Sequence, residues 1–174
     1  MHINIMYPWG CTMKVADGAS DSDWAGCRTT RTSTSGGCIR LGGCIIKAWS
    51  RQQRAIALSS GEAELYAAVK TVQELLGIKS LGTDLGMNIR CNLQIDAKAT
   101  VGMLSRKGAG RNRHIGVQHF CVRDVIRSGA VSLERVWSSK NVADILTKYV
   151  EPRVLDRHLE ALRISRNSLM RLTT

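Results

Sequence analysis

A mixed α/β domain built around one sheet is what the sequence predicts, on three observations. Residues 31–58 read as short strands punctuated by glycine, in "TSGGCIRLGG" and then "CIIKAWS". From Ser60 to about Leu85 the pattern becomes helical. In "CNLQID" the apolar Cys91, Leu93 and Ile95 alternate with Asn92, Gln94 and Asp96, the mark of a strand with two different faces. Strands, helix, strand, helices, strand and helix in that order describe one sheet with helices packed on it.

The elements follow in order. "TSGGCIRLGG", "CIIKAWS" and "RAIALSS" suggest short antiparallel strands joined by glycine turns. The helix after them opens with a capping box, Ser59 followed three residues on by Glu62. After the 91–96 strand come a short helix over 97–105, the basic loop "RKGAGRNRH", a helix over 115–128 and a strand at 130–137. From Asn141 on, one or two helices are expected, broken at Pro152.

Composition narrows the partners. The 174 residues are enough for one domain with a real core. No stretch approaches the ~18 apolar residues of a membrane span, and "MHINIMYPWGC" lacks the basic-then-apolar pattern of a secretory signal. Lys and Arg outnumber Asp and Glu by 25 to 14, giving a net charge of +11. With aromatic residues at 5% and the basic ones spread along the chain, this favours nucleic acid over an anionic membrane. Six cysteines form no C-x-x-C pair, and His119 with Cys121 makes a poor zinc site without a second pair of ligands. They read as reduced thiols of a cytosolic or nuclear protein.

In so basic a chain the 14 acids can be taken singly. Glu62 is explained by the capping box and steps to Tyr66, Lys70 and Gln73, a wetter face. Glu64 steps to Ala68, Val72 and Leu75, the stripe that faces the sheet, so it needs an arginine or a metal ion as partner. Asp96 ends a strand and begins a helix, where it serves either as an N-cap or in the chemistry that α/β sheets place at such ends. Asp144 lies early in a helix, where an acid also suits the dipole. Asp21 and Asp23 flank a serine in "SDSDWAGC", as turn formers or as cation ligands. Acids gathered at strand ends and helix starts are what two-metal phosphodiester chemistry requires.

These strings resemble the ribonuclease H domain that ends the polyprotein of copia-type retrotransposons. "SDSDWAG" is similar to that family's "SDADWAG", "RTSTSGG" to "R-S-T-S-G", and "KAWSRQQRAIALSSGEAELYA" to "SWKSKKQ…VALSSTEAEYMA". "QID" with "AKA" stands where the family has Cys-Asp-Asn and small residues. "RNRHIGV" resembles "R-T-K-H-I-D-I", "NVADILTK" resembles "Q-L-A-D-I-F-T-K", and "VLDRHLEAL" is like the closing helix. In order, these strings cover roughly residues 18 to 163.

The resemblance implies a ribonuclease H-like fold, an α/β architecture whose five-stranded mixed sheet has its first three strands antiparallel and is flanked by helices. Residues 1–12 would be a lead-in, 13–163 the domain and 164–174 a basic tail. It implies hydrolysis of the RNA strand of RNA–DNA hybrids, beside a reverse transcriptase. Asp21, Glu64, Asp96 and Asp144 would be the catalytic, metal-holding carboxylates for two Mg²⁺ ions, with Mn²⁺ able to substitute. Arg106, Lys107, Arg111 and Arg113, clustered in one loop, would contact the nucleic-acid backbone, as would the hydroxyls of Ser33 and Ser35 in "STSGG". The protein would work in a cytoplasmic virus-like particle or the nucleus, and would not be secreted. Two departures bear on activity: Gly116 stands where the family often has an acid, and the loop "SSKN" lacks the histidine of cellular ribonucleases H. His114 does not match that histidine's position. A catalytically weak remnant that still binds nucleic acid is the alternative, and an integrase-like enzyme a more distant one.

Overall fold

The computed structural model describes residues 2–10, 12–106 and 117–167. A five-stranded sheet runs in the order β4-β3-β2-β5-β6, built from β2 (Val15–Asp23), β3 (Thr34–Leu41), β4 (Cys44–Gln52), β5 (Arg90–Ile95) and β6 (Val131–Arg135). β3 runs antiparallel to both of its neighbours, β2 and β4, while β5 runs parallel to both β2 and β6. This is the mixed sheet that the motifs implied. A separate two-stranded ribbon pairs β1 (His2–Ile5) with β7 (Ile164–Asn167), joining segments expected to be a lead-in and a tail.

Helix α1 (Ser60–Asp84) starts as its sequence requires, with Ser59 Oγ accepting from Glu62 N at 3.2 Å. The Glu62 carboxylate closes the cap on Leu58 N at 2.8 Å, one residue earlier than in the usual box. Its apolar stripe of Leu65, Ala68, Val72 and Leu75 packs on Ile39, Leu93 and Ile95 of the sheet. Leu104 of α2 (Lys98–Ser105) and Val122 of α3 (Val117–Arg127) complete that core. The opposite face holds a smaller cluster in which Ala19, Cys38 and Ile45 meet Val142, Ala143 and Leu162. Among the described residues no helix is long and apolar enough to cross a membrane, and Cys27, Cys38, Cys91 and Cys121 are free thiols.

Three local expectations are corrected. "RAIALSS" forms no strand: β4 ends at Gln52, and the chain then crosses to the α1 cap. Gln53 N bonded to Ser33 O and Trp24 Nε1 bonded to Ala57 O hold that crossing. The segment around Asp144 is not α-helical but two 3₁₀ turns, Ser138–Lys140 and Val142–Leu146. Pro152 breaks nothing, since it occupies the first turn of α4 (Pro152–Ala161), where its missing N–H costs no hydrogen bond.

Candidate active site

Parallel pairing of β2 with β5, with Ala19 opposite Gln94, brings the C-terminal ends of the two strands level. Asp21 stands at the first end and Asp96 just beyond the second. The α1 cap fixes the start of that helix and sets Glu64 at its fifth residue, facing β2. There Glu64 Oε1 accepts from Ser22 N at 3.1 Å and from Ser22 Oγ at 3.2 Å. One carboxylate oxygen each from Asp21, Glu64 and Asp96 lies within 4.8 Å of the other two.

Asp144 adjoins this triple from the other side. Its 3₁₀ turn is pinned by Asn141, whose Nδ2 donates to Ser20 O at 3.0 Å while its Oδ1 accepts from Ala143 N at 3.2 Å. Lys148 Nζ then bridges the acids, 3.3 Å from Asp144 Oδ2 and 3.7 Å from Asp21 Oδ2. Thr147 Oγ1 donates to the same Asp21 oxygen. Asn141→Ala leaves the buried Ser20 carbonyl unpaired and is expected to cost about 1–3 kcal/mol in urea denaturation. A loss below about 0.5 kcal/mol would show that the turn does not depend on this pin.

Burial dominates the electrostatics. It pushes the Glu64 carboxyl up to about 8, reinforced by the charge of Asp21 and opposed by the Ser22 hydrogen bonds. It likewise raises Asp21 to about 6, with Asp144 adding to the rise and Thr147 and Lys148 opposing it. Asp144 is raised by burial against the pull of Lys148. Burial works against the Lys148 charge, but the surrounding carboxylates outweigh it and hold its pKa above the ordinary value. Among the described residues, Glu64 Oε2 and Asp144 Oδ1 are buried without a hydrogen-bond partner. Converging carboxylates, two orphaned buried oxygens and an oxygen-only donor set fit hard divalent cations such as Mg²⁺ or Mn²⁺.

Other residues singled out from the sequence have structural duties. Glu62 is buried as fully as Glu64, not on a wetter face, and its carboxylate bonds Leu58 N and Tyr66 Oη. Asp96 does not cap α2, whose N-cap is Ala97. Asp23 accepts from Thr34 N and closes the β2–β3 turn. Of the two serines expected to approach a phosphate backbone, Ser33 is fully buried, while Ser35, largely buried, lines the groove described below. Ser33 Oγ accepts from Ala25 N at 3.0 Å, and Ser35 Oγ accepts from Gln53 Nε2 at 2.8 Å. The neighbouring glycines admit protein instead of substrate: a Cβ on Gly36 would fall 2.6 Å from Thr147, and one on Gly37 2.3 Å from the Trp49 ring. Arg106 is exposed at the end of α2 and its carbonyl accepts from Arg123. Lys107, Arg111, Arg113, His114 and Gly116 lie outside the described residues. His119 is buried edge-on against the Tyr66 ring, at 5.1 Å between centroids, while Cys121 is exposed, so they do not converge on a metal.

The acids were legible in the sequence, but the groups that hold them were not singled out. Ser22, Asn141, Thr147 and Lys148 belong to this list. Lys148 had a signal, since it stands four residues after Asp144, at pairing distance on one helical face. A groove of about 720 Å³, without a local signal in the sequence, is lined in part by Arg51, Arg54, Trp49, Tyr66 and Gln53. It begins beside the site, because Gln53 Nε2 also donates to Ala63 O, next to Glu64, at 2.9 Å.

The chain therefore has the ribonuclease H-like fold, with a carboxylate cluster at the level ends of β2 and β5. LC11-RNase H1, isolated from compost by a metagenomic approach, superposes with a TM-score of 0.58 at 15% identity, covering 85% of this chain and 99% of that one. The same protein in complex with an RNA/DNA hybrid gives 0.57 at 13% identity, over 83% and 99%. No family model matches the sequence. Its homologues are copia-type retrotransposon Pol polyproteins, and a ribonuclease H domain within such a polyprotein fits both the relatives and the fold. The Pol polyprotein from transposon RE1 of Arabidopsis thaliana is 33% identical over 135 residues, 74% of this chain and 9% of the relative. That from transposon TNT 1-94 of Nicotiana tabacum is 28% identical over 145 residues, 82% of this chain and 11% of the relative. The chain thus spans about a tenth of the length of these relatives.

Proposed function

We propose that the chain hydrolyses the RNA strand of RNA–DNA hybrids endonucleolytically, as the ribonuclease H part of a copia-type retrotransposon polyprotein that includes a reverse transcriptase. The observation that carries this reading is the convergence of Asp21, Glu64 and Asp96 within 4.8 Å, with Asp144 adjoining through Lys148. Four acids from distant parts of a +11 chain meet at one edge of a fold shared with ribonucleases H. Asp21, Glu64 and Asp96 would hold one divalent ion, and Asp21 with Asp144 a second, Mg²⁺ with Mn²⁺ as substitute. Two such ions supply an acidified water and stabilise charge developing on the phosphodiester.

The chain's own residues do the positioning. Ser22 aims one oxygen of Glu64 and leaves Oε2 free, while Thr147 fixes Asp21. Water attacks phosphorus in line and the 3′ oxygen departs, leaving a 5′ phosphate on one product. Arg51 and Arg54 in the groove, with Arg106 and the basic residues Lys107, Arg111 and Arg113, attract the backbone without reading its sequence. The choice of RNA rests on 2′-hydroxyls displayed in the wide minor groove of the hybrid. We place this work in a cytoplasmic virus-like particle or the nucleus.

The test is cleavage of a labelled hybrid by the purified chain with Mg²⁺ or Mn²⁺, beside Asp96→Asn. Metal-dependent cutting of the RNA strand, lost in the variant, is the expected result. A folded protein that binds the hybrid and cuts neither strand would leave a nucleic-acid-binding domain without the nuclease.

A further inference from the structure

The fourth acid is answered by a lysine. Lys148 Nζ lies 3.3 Å from Asp144 Oδ2 and 3.7 Å from Asp21 Oδ2, so a single positive charge occupies the gap between the two carboxylates proposed for the second ion. The lysine side chain retains 48% of its exposure, against 3% for Asp21 and 12% for Asp144. Its backbone N–H is fixed to Asp144 O at 3.2 Å, so the stem is anchored while the ammonium can turn to solvent. Lys148 meets the three-acid cluster only through Asp21 and at the longer distance, whereas Glu64 meets only the Ser22 donors and keeps Oε2 without a partner among the described residues.

We infer that Lys148 is an internal, removable counter-ion for the Asp21–Asp144 pair, and that it makes the chain take up divalent ions in two unequal steps. The first ion enters the cluster of Asp21, Glu64 and Asp96, which Lys148 meets only at Asp21, and so disturbs the ammonium less. The second enters between Asp21 and Asp144 only as the ammonium leaves, because a cation held a few ångströms from a divalent ion repels it strongly in a half-buried setting. Lys148 is thereby a positioning residue: it offsets the mutual repulsion of two buried acids in the metal-free chain and sets the concentration at which the second site fills. This inference rests on the metal centre proposed above.

Isothermal titration of Mn²⁺ into the full chain, at fixed pH and ionic strength, tests it by metal uptake and without reference to activity. The wild type is expected to show a tighter and a weaker event. Lys148→Met keeps the length of the stem and removes the charge, and should tighten the weaker event at least about ten-fold, and by more than the tighter one. Lys148→Arg retains the charge and should leave the two events as unequal as in the wild type. A second event equally weak or weaker in Lys148→Met, with Lys148→Arg folded and unchanged, would overturn the role given to Lys148 and leave the metal centre standing. Absence of Mn²⁺ uptake by all three folded proteins would instead remove the metal centre, and the inference with it.

Discussion

Asp21→Asn is expected to slow hybrid cleavage by roughly 10³-fold or more, and to leave a metal-free protein more stable than the wild type at pH 8. Asp21 is the hub of the site: it belongs to the three-acid cluster, accepts from Thr147 and faces Lys148. Its charge is also one of the causes that lift Glu64, after burial. The sign of the stability change follows from proton linkage. Glu64 is raised from an ordinary 4.5 to about 8, and Asp21 from 3.8 to about 6. Across those intervals the folded chain binds more protons than the unfolded one. Metal-free stability is therefore full below the ordinary values and is lost as the pH climbs through the folded ones. In the wild type that decline extends up to about pH 8. Asparagine at position 21 removes one of the two titrations and relieves the other, so the decline should shrink. Melting temperatures in a chelator at pH 5 and pH 8 check this. A wild type equally stable at both, or a variant with the larger decline, would contradict it.

Gly36→Ala should produce the second large effect, through backbone instead of charge. Gly36 lies opposite Asp21 in the β2–β3 ladder. An added Cβ would fall 2.6 Å from Thr147 Cγ2, 2.8 Å from Leu146 Cβ and 3.2 Å from the Leu146 carbonyl carbon. A flexible side-chain tip could yield, but a backbone carbon and a Cβ move only with their segment, which also carries Asp144, Thr147 and Lys148. Overpacking of this kind costs about 1–3 kcal/mol, and displacement of a reacting group by about an ångström costs about 100-fold in rate. Cleavage should fall by about 10- to 100-fold in a variant that remains folded at 25 °C by circular dichroism. Unchanged kcat would mean that the segment has room the packing does not suggest.

Much of this was written in the sequence because the signals were local. The alternation of Cys91, Leu93 and Ile95 gave β5 its buried face, and the helical phase of Glu64 with Ala68, Val72 and Leu75 put that acid against the sheet. Ser59 capped α1 as its spacing required. What remained hidden depended on long-range partners. The apolar alternation of "RAIALSS" suits a strand, yet β4 is an edge strand and that stretch instead crosses to the α1 cap. The spacing of Asp144 from Asn141 suits a 3₁₀ turn as well as an α-helix, and the choice was made by Asn141 reaching Ser20. The partners of hydroxyl-rich "STSGG" were hidden in the same way: Gln53 and Ala25 bond its serines, and Thr147 and Trp49 crowd its glycines. The strands "HINI" and "ISRN" are too short for a pattern, and only their pairing identifies them.

The hydrogen bond from Thr147 to Asp21 joins groups 126 positions apart, and Asn141 reaches back 121 positions to Ser20. The proposed metal centre is therefore complete only once the segment that carries Asn141, Asp144 and Thr147 has been made. At ribosomal rates of about 5–20 residues per second, Asp21 waits several seconds before Asp144 and Lys148 emerge to meet it. Until then Asp21 lacks the partners that pin it, and the proposed second metal site does not exist.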